Sequence, residues 1–253
     1  MAEIIDFKDK VSRYYRPSGQ EILGMLVAIV VVAFIISFRD WGQGETFDLA
    51  FGLLNFVEAL VIVALSFVVF DAGQRLWGLT INYRLRYKVW SVGLLIGLLV
   101  CFLTNGSIWL ILPSGFLIEH LTAYRLGWFR YGINMYGQGV MALGGPVACL
   151  LLMIIIKMFS FALPSLFVQK AIFFNFILVL TTMLPIPPLV GSKVYFGSKM
   201  LYAFSMPAII SAAILLVLDI NIFLAAFLAI FIGAILWITY YAVFEQFVWK
   251  GPG

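Results

Sequence analysis

The sequence predicts an all-α polytopic membrane protein with six or seven transmembrane helices around a proline-broken helix, and three features carry that expectation. Of the 253 residues 64% are hydrophobic and only 11% charged, against roughly 25% charged in a soluble domain, and the mean hydropathy is +1.08. Apolar runs of spanning length recur along the chain, separated by polar turns. Finally, Met183-Leu-Pro-Ile-Pro-Pro-Leu-Val-Gly-Ser-Lys193 sets three prolines within four positions in a long apolar segment. Prolines remove backbone donors and stop a regular helix, and irregular backbone at membrane depth is tolerated only where protein buries it or a cavity is lined by it. Pro185, Pro187 and Pro188 therefore mark a candidate functional interior. The alternative is a helix end at the interface followed by the polar turn Gly191-Ser-Lys193.

In chain order, residues 1–20 form a mixed-charge tail with Lys8, Lys10, Arg13 and Arg16, suited to a membrane-surface anchor or to disorder. The first span is placed at Ile22 to Phe38, followed by an acid-leaning loop from Arg39 to Asp48. A second runs from Leu49 to Val69 and continues into Asp71-Ala-Gly-Gln-Arg75. The next stretch carries Arg75, Arg84, Arg86 and Lys88, which the positive-inside rule places in the cytoplasm with the N-terminus. A third segment, Val92 to Leu112, is interrupted by Thr104-Asn-Gly-Ser107, either a spanning helix or a re-entrant pair of arms around a turn. Leu121 to Gln138 reads as a loop. Further spans are expected from Gly139 to Phe161, from Ala171 into the prolines, from Leu201 to Leu218 and from Ile222 to Val243. Residues 1–20 are polar and the first apolar run reaches spanning length, so no cleavable signal peptide is expected.

The net charge of +4 is read through loop placement, which makes nucleic acid a poor partner and lipid head groups good ones. Cys101 and Cys149 lie in apolar runs and offer neither a disulfide framework nor metal-ligand spacing. Charges inside apolar runs are costly and hence functional candidates. Glu58 is mid-span, and a hydrogen-bonded protonated carboxyl is its structural alternative. Asp71 precedes Arg75 by one helical turn, the spacing of an ion pair. Lys157 can snorkel and Asp219 can cap the last helix. His120, following Glu119, is the single histidine and cannot make a two-histidine zinc motif.

The run from Leu184 to Val194, preceded by Asn175, resembles the site-2 protease family of intramembrane zinc metalloproteases. There the stretch reads Leu-Pro-Ile-Pro-Pro-Leu-Asp-Gly-Ser-Lys-Val or a close variant, with the aspartate as a zinc ligand. Leu143-Gly-Gly-Pro-Val-Ala-Cys149 is similar to the family's Ala-Gly-Pro-x-x-Asn segment. Phe70-Asp-Ala-Gly-Gln74, then Tyr83-Arg-Leu-Arg-Tyr-Lys-Val-Trp90 and Gly93-Leu-Leu95, occupy the place of its His-Glu-x-x-His and the sequence after it. The resemblance covers Leu49 to Tyr195, and it also exposes departures. Phe70, Gln74 and Val190 stand where zinc ligands are expected, Asp71 where the general-base glutamate is, and Cys149 where the asparagine is. Phe and Val offer no donor, and without metal there is no activated water. Reading Glu119-His120 as the motif's remnant leaves Val190 unexplained.

The resemblance thus implies a catalytically inactive pseudoprotease, not an enzyme, with no metal or cofactor. It is expected to bind another integral membrane protein or a transmembrane helix through Asn175, Leu184, Pro185, Ile186, Pro187, Pro188 and Leu189, or to act as a scaffold subunit of a membrane complex. Strand-like pairing beside the proline run is the expected mode. The alternatives are an intramembrane metalloprotease with relocated ligands, using Asp71, Glu58 or Glu119-His120, and a small-solute transporter lined by Glu58, Asp71 and Lys157. The expected organisation is a cytoplasmic tail (1–20), a first helix and loop (21–45), a protease-like core (46–199), a C-terminal hairpin (200–247) and a tail (248–253), in the plasma membrane. Gly52 and Gly144-Gly145 are candidates for close helix approach to other subunits.

Overall fold

A computed structural model of the chain describes residues 2–42, 48–121, 134–218 and 221–241. The protein is mostly helical. Helix α1 (Ala2–Tyr14) carries the Asp6–Lys10 and Asp9–Arg13 ion pairs one turn apart, so part of the expected tail is ordered by its own charges. Helix α2 (Gly19–Ser37) begins in a capping box: the Glu21 amide donates to the Ser18 hydroxyl at 3.3 Å, and the Ser18 amide donates to the Glu21 carboxylate at 3.2 Å.

Helix α3 (Leu49–Thr80), started by Asp48 accepting from the Ala50 and Phe51 amides, has 32 residues. At a rise of 1.5 Å per residue it measures about 48 Å, longer than a ~30 Å hydrocarbon core, and its last turns carry Asp71, Gln74 and Arg75. Strand β1 (Tyr83–Val89) follows. Helix α4 (Ser91–Leu103) has 13 residues and ends at a turn through Asn105 and Gly106, both in left-handed backbone. The chain then returns extended to strand β2 (Ser114–His120), antiparallel to β1 with Leu85 opposite Ile118. Of the two readings of Val92–Leu112, the structure shows the pair of arms around the Thr104–Ser107 turn, a short helix and an extended return, in place of a single span. Glu119 and His120 are the last residues of strand β2.

Helices α5 (Met135–Ala142) and α6 (Gly144–Met158) run almost end to end, and α7 (Ser165–Thr182) leads into the proline run. Helix α8 (Val190–Gly197) follows it, then α9 (Lys199–Val217) and α10 (Ile222–Tyr240), which pack as a hairpin. Against the six or seven expected, five helical stretches among the described residues are long and apolar enough to cross a membrane: α2, α3, α5 with α6, α7 and α9. Asn221 caps α10 through the Phe223 amide at 3.0 Å, and Asp219, expected in that role, lies outside the described residues. So do residues 122–133 of the expected loop, Glu45 and the C-terminal tail.

The core is one apolar cluster drawn mainly from α2, α3, α6, α7 and α9, joined by Leu85, Leu94, Phe116, Ala142, Val190 and Val194 from the elements between them. One close joint is α3 on α6, where a methyl added at Gly144 would stand 2.6 Å from the Gly73 carbonyl oxygen. Gly52 presses on Trp41, so these glycines serve packing within the chain. A second joint is polar. Arg75 is 3% exposed, and its guanidinium bridges Asp71 on its own helix and Glu21 of α2. Glu21 also accepts the Tyr87 amide of β1 at 3.1 Å. One carboxylate thus starts α2, holds α3 and anchors the sheet.

Replacing Arg75 by Met leaves two carboxylates facing each other and is expected to cost about 3–5 kcal/mol. Adding Glu21→Gln and Asp71→Asn to that variant should restore most of the loss in thermal unfolding of the detergent-solubilised protein. At the apolar joint Gly144→Val should cost about 1–3 kcal/mol, because backbone must move. Gly19→Ala, where an added methyl meets nothing within 4 Å, should stay within about 0.5 kcal/mol of the parent in the same assay.

Candidate functional site

The proline run is the break the sequence predicts. Helix α7 stops at Thr182, the backbone is irregular from Met183 to Leu189 with a cis Pro187–Pro188 bond, and α8 starts at Val190. Freed polar groups find partners there. The Leu184 amide donates to the Thr181 carbonyl at 3.3 Å and the Leu189 amide to the Ile186 carbonyl at 2.9 Å. The Tyr202 hydroxyl donates to the Met183 carbonyl at 3.0 Å, and the Ser192 hydroxyl to that of Leu189 at 2.7 Å. Gly191 is required sterically, since a methyl there would lie 2.0 Å from the Met183 oxygen.

This platform meets the sheet. Pro188 stands over Gly115 of β2 so closely that a methyl on Gly115 would approach it within 2.8 Å. Beside that contact runs a groove of about 270 Å³, between Lys88, Trp90, Phe116, Leu117, Pro188 and Lys193. β1 packs on α2 and α3, whereas among the described residues β2 packs extensively only on β1. Leu117 is 52% exposed and Ile186 47%. Lys193 is half-buried with its ammonium 5.2 Å from the Phe116 ring centre, and burial lowers its pKa from the ordinary lysine value.

The residues expected to bind a partner divide into two groups. Leu184, Pro185, Ile186, Pro187 and Pro188 are exposed or half-buried on the break. Asn175 and Leu189 are fully buried: Asn175 donates to the Ser66 hydroxyl at 3.0 Å and to the Ala171 carbonyl at 2.9 Å, tying α7 to α3. Phe70, Cys149 and Val190 join one buried apolar cluster, and Gln74 donates to the Ala142 carbonyl at 3.4 Å. Asp71 turns to a different face and is held by Arg75. Glu119 pairs with Arg86 at 3.0 Å, and the Lys157 ammonium donates to the Leu216 carbonyl at 3.0 Å, while Asp71 is engaged by Arg75. The groove residues Lys88, Gly115 and Phe116 were not singled out by the sequence. The alternation of apolar and polar side chains from Tyr83 to Val89 is a strand signal that could have found Lys88, and it carries no information on Gly115 or Phe116.

Zinc is the metal that the family resemblance implies. Tested on the donors present, the fit fails: Phe70 and Val190 have none, Gln74 offers a neutral amide in place of an imidazole, thiolate or carboxylate, and Asp71 is engaged by Arg75. Among the described residues no three His, Cys, Asp or Glu side chains gather to hold a metal ion. No hydrolytic step is therefore routed through a metal at these positions.

No family model matches the chain, and no solved structure matches it. A curated protein of Methanocaldococcus jannaschii named "Putative zinc metalloprotease" is 25% identical over 196 residues, covering 75% of this chain and 90% of that protein. This likeness corrects the expectation that the chain is not an enzyme: a relative named as a protease points to protease activity, not to a pseudoprotease. The chain is thus a mostly helical membrane protein with weak similarity to a zinc metalloprotease.

Proposed function

We propose that this metalloprotease-like membrane protein receives a transmembrane segment of another polypeptide in extended form, in the groove between β2 and the proline break. The carrying observation is the flank of β2. It packs on no helix extensively among the described residues, lies beside the irregular backbone at Pro188, and carries the exposed Leu117, while Ile186 is exposed on the same break. A strand with unpaired amides and carbonyls recruits another strand, and backbone bonds formed away from water supply affinity with little demand on sequence. The weak likeness to a protease supports the same reading, because peptide hydrolysis requires an unwound segment, and the reading concerns that binding step. The N-terminal tail lies on the cytoplasmic side of the plasma membrane in this proposal. Its support is that Arg84 of β1 donates to the Arg16 carbonyl at 3.5 Å, so the basic tail and the basic strand share one end of the bundle.

The test places a photocrosslinking amino acid at Leu117 and at Ile186 in the full chain in nanodiscs. The probe is a synthetic single-span peptide with a glycine-rich midpoint that unwinds readily. Adducts are expected at both positions, and methylation of peptide backbone nitrogens should weaken capture at alternate residues by a few-fold each. Adducts with lipid alone, or capture indifferent to methylation, would sink the proposal.

A further inference from the structure

The groove contains a charge that no described residue answers. Other shielded cations have partners: Lys10 pairs with Asp6, Arg75 with Glu21 and Asp71, Lys170 with Asp40, and Lys157 with the Leu216 carbonyl. Lys193 of α8 is half-buried, yet its ammonium makes no hydrogen bond or ion pair with any described residue and meets only the Phe116 ring. Lys88, at the end of β1, lines the same groove and is likewise without an anion among the described residues. Among the described residues no carboxylate lines this space, and its remaining walls are Val89, Trp90, Gly115, Phe116, Leu117 and Pro188. An ammonium withdrawn from water is unfavourable until an anion joins it, and an aromatic face offsets only part of that penalty.

We infer that the Lys193–Lys88 groove is a carboxylate subsite, selecting bound segments that carry an acidic side chain flanked by apolar residues. This rests on the reading of the groove as a segment-binding site and names the class of segment it takes. Desolvation by the neighbouring aromatic and proline walls strengthens a lysine–carboxylate bond beyond its surface value. The subsite therefore contributes selection, while the β2 backbone contributes sequence-independent affinity.

The experiment uses the full chain in phosphatidylcholine nanodiscs and two amidated single-span peptides, alike except for Glu or Gln beside the unwound apolar stretch. The wild-type protein should bind the Glu peptide about tenfold or more tightly than the Gln peptide. Lys193→Gln should shrink that ratio to about twofold or less, Lys193→Arg should retain most of it, and Lys88→Gln should reduce it part-way. Equal binding of both peptides by the wild-type protein overturns this inference while leaving the groove reading standing, and binding of neither overturns both. Because that comparison changes only the peptide, a variant that fails to fold does not decide it. If phosphatidylglycerol in the nanodisc is retained through Lys193 by native mass spectrometry, and the peptides are not distinguished, the anion is a lipid head group and the inference fails.

Discussion

The structure depends on how the break between α7 and α8 is closed. In apolar surroundings no water stands by to satisfy amides and carbonyls, so polar groups released by three prolines need partners within the protein. Tyr202 reaches back from α9 to Met183, Ser192 turns onto Leu189, and Gly191 lets α8 press against the end of α7. Because those partners come from a later helix and from the first turn of the next, the break is a fixed platform. Pro188 can then hold one position over Gly115, and the groove beside β2 has a defined wall.

The other wall is fixed by charge. A two-stranded sheet is marginal alone, and this one is secured through β1, whose Tyr87 amide binds the carboxylate that also caps α2 and engages Arg75. Buried ion pairs often contribute little net stability compared with apolar packing, but this one specifies a geometry, since a single guanidinium bridges carboxylates of two helices. With β1 committed to α2 and α3, the strand left over is β2. The same arrangement removes Asp71 from the face that carries Phe70 and Gln74.

Much of this was legible locally. The first span matches α2 to within a few residues, the prolines break the chain where their chemistry requires, and Asp71 and Arg75 pair as their spacing predicts. What the sequence did not yield is set by distance along the chain. Glu21 joins Arg75 across 54 residues, and no local pattern announces that partner. The pairing of β1 with β2 closes around α4, so Val92 to Leu112 reads as one apolar run although its second half is extended. Tyr83 to Val89 alternates as a strand should, yet its basic residues invite a topological reading first. Asn175 was legible as a polar residue with a purpose, but its purpose here is a bond to Ser66 in the interior.

The weak likeness to a metalloprotease and the donor set at residues 70, 71, 74 and 190 bear on different steps. Binding an extended segment needs strand edges, an immobile irregular backbone and a place for side chains, and the chain has all three in β2, Pro185 to Pro188 and the groove. Cutting that segment by zinc chemistry needs deprotonated ligands and room for an activated water. At Phe70 and Val190 apolar side chains occupy that room as part of the core, and at Asp71 a guanidinium occupies the carboxylate. The likeness points to protease activity, and these four positions do not offer the donors that zinc chemistry would use. The proposed binding step needs no such donors, and its requirements rest on the strand and the proline run alone.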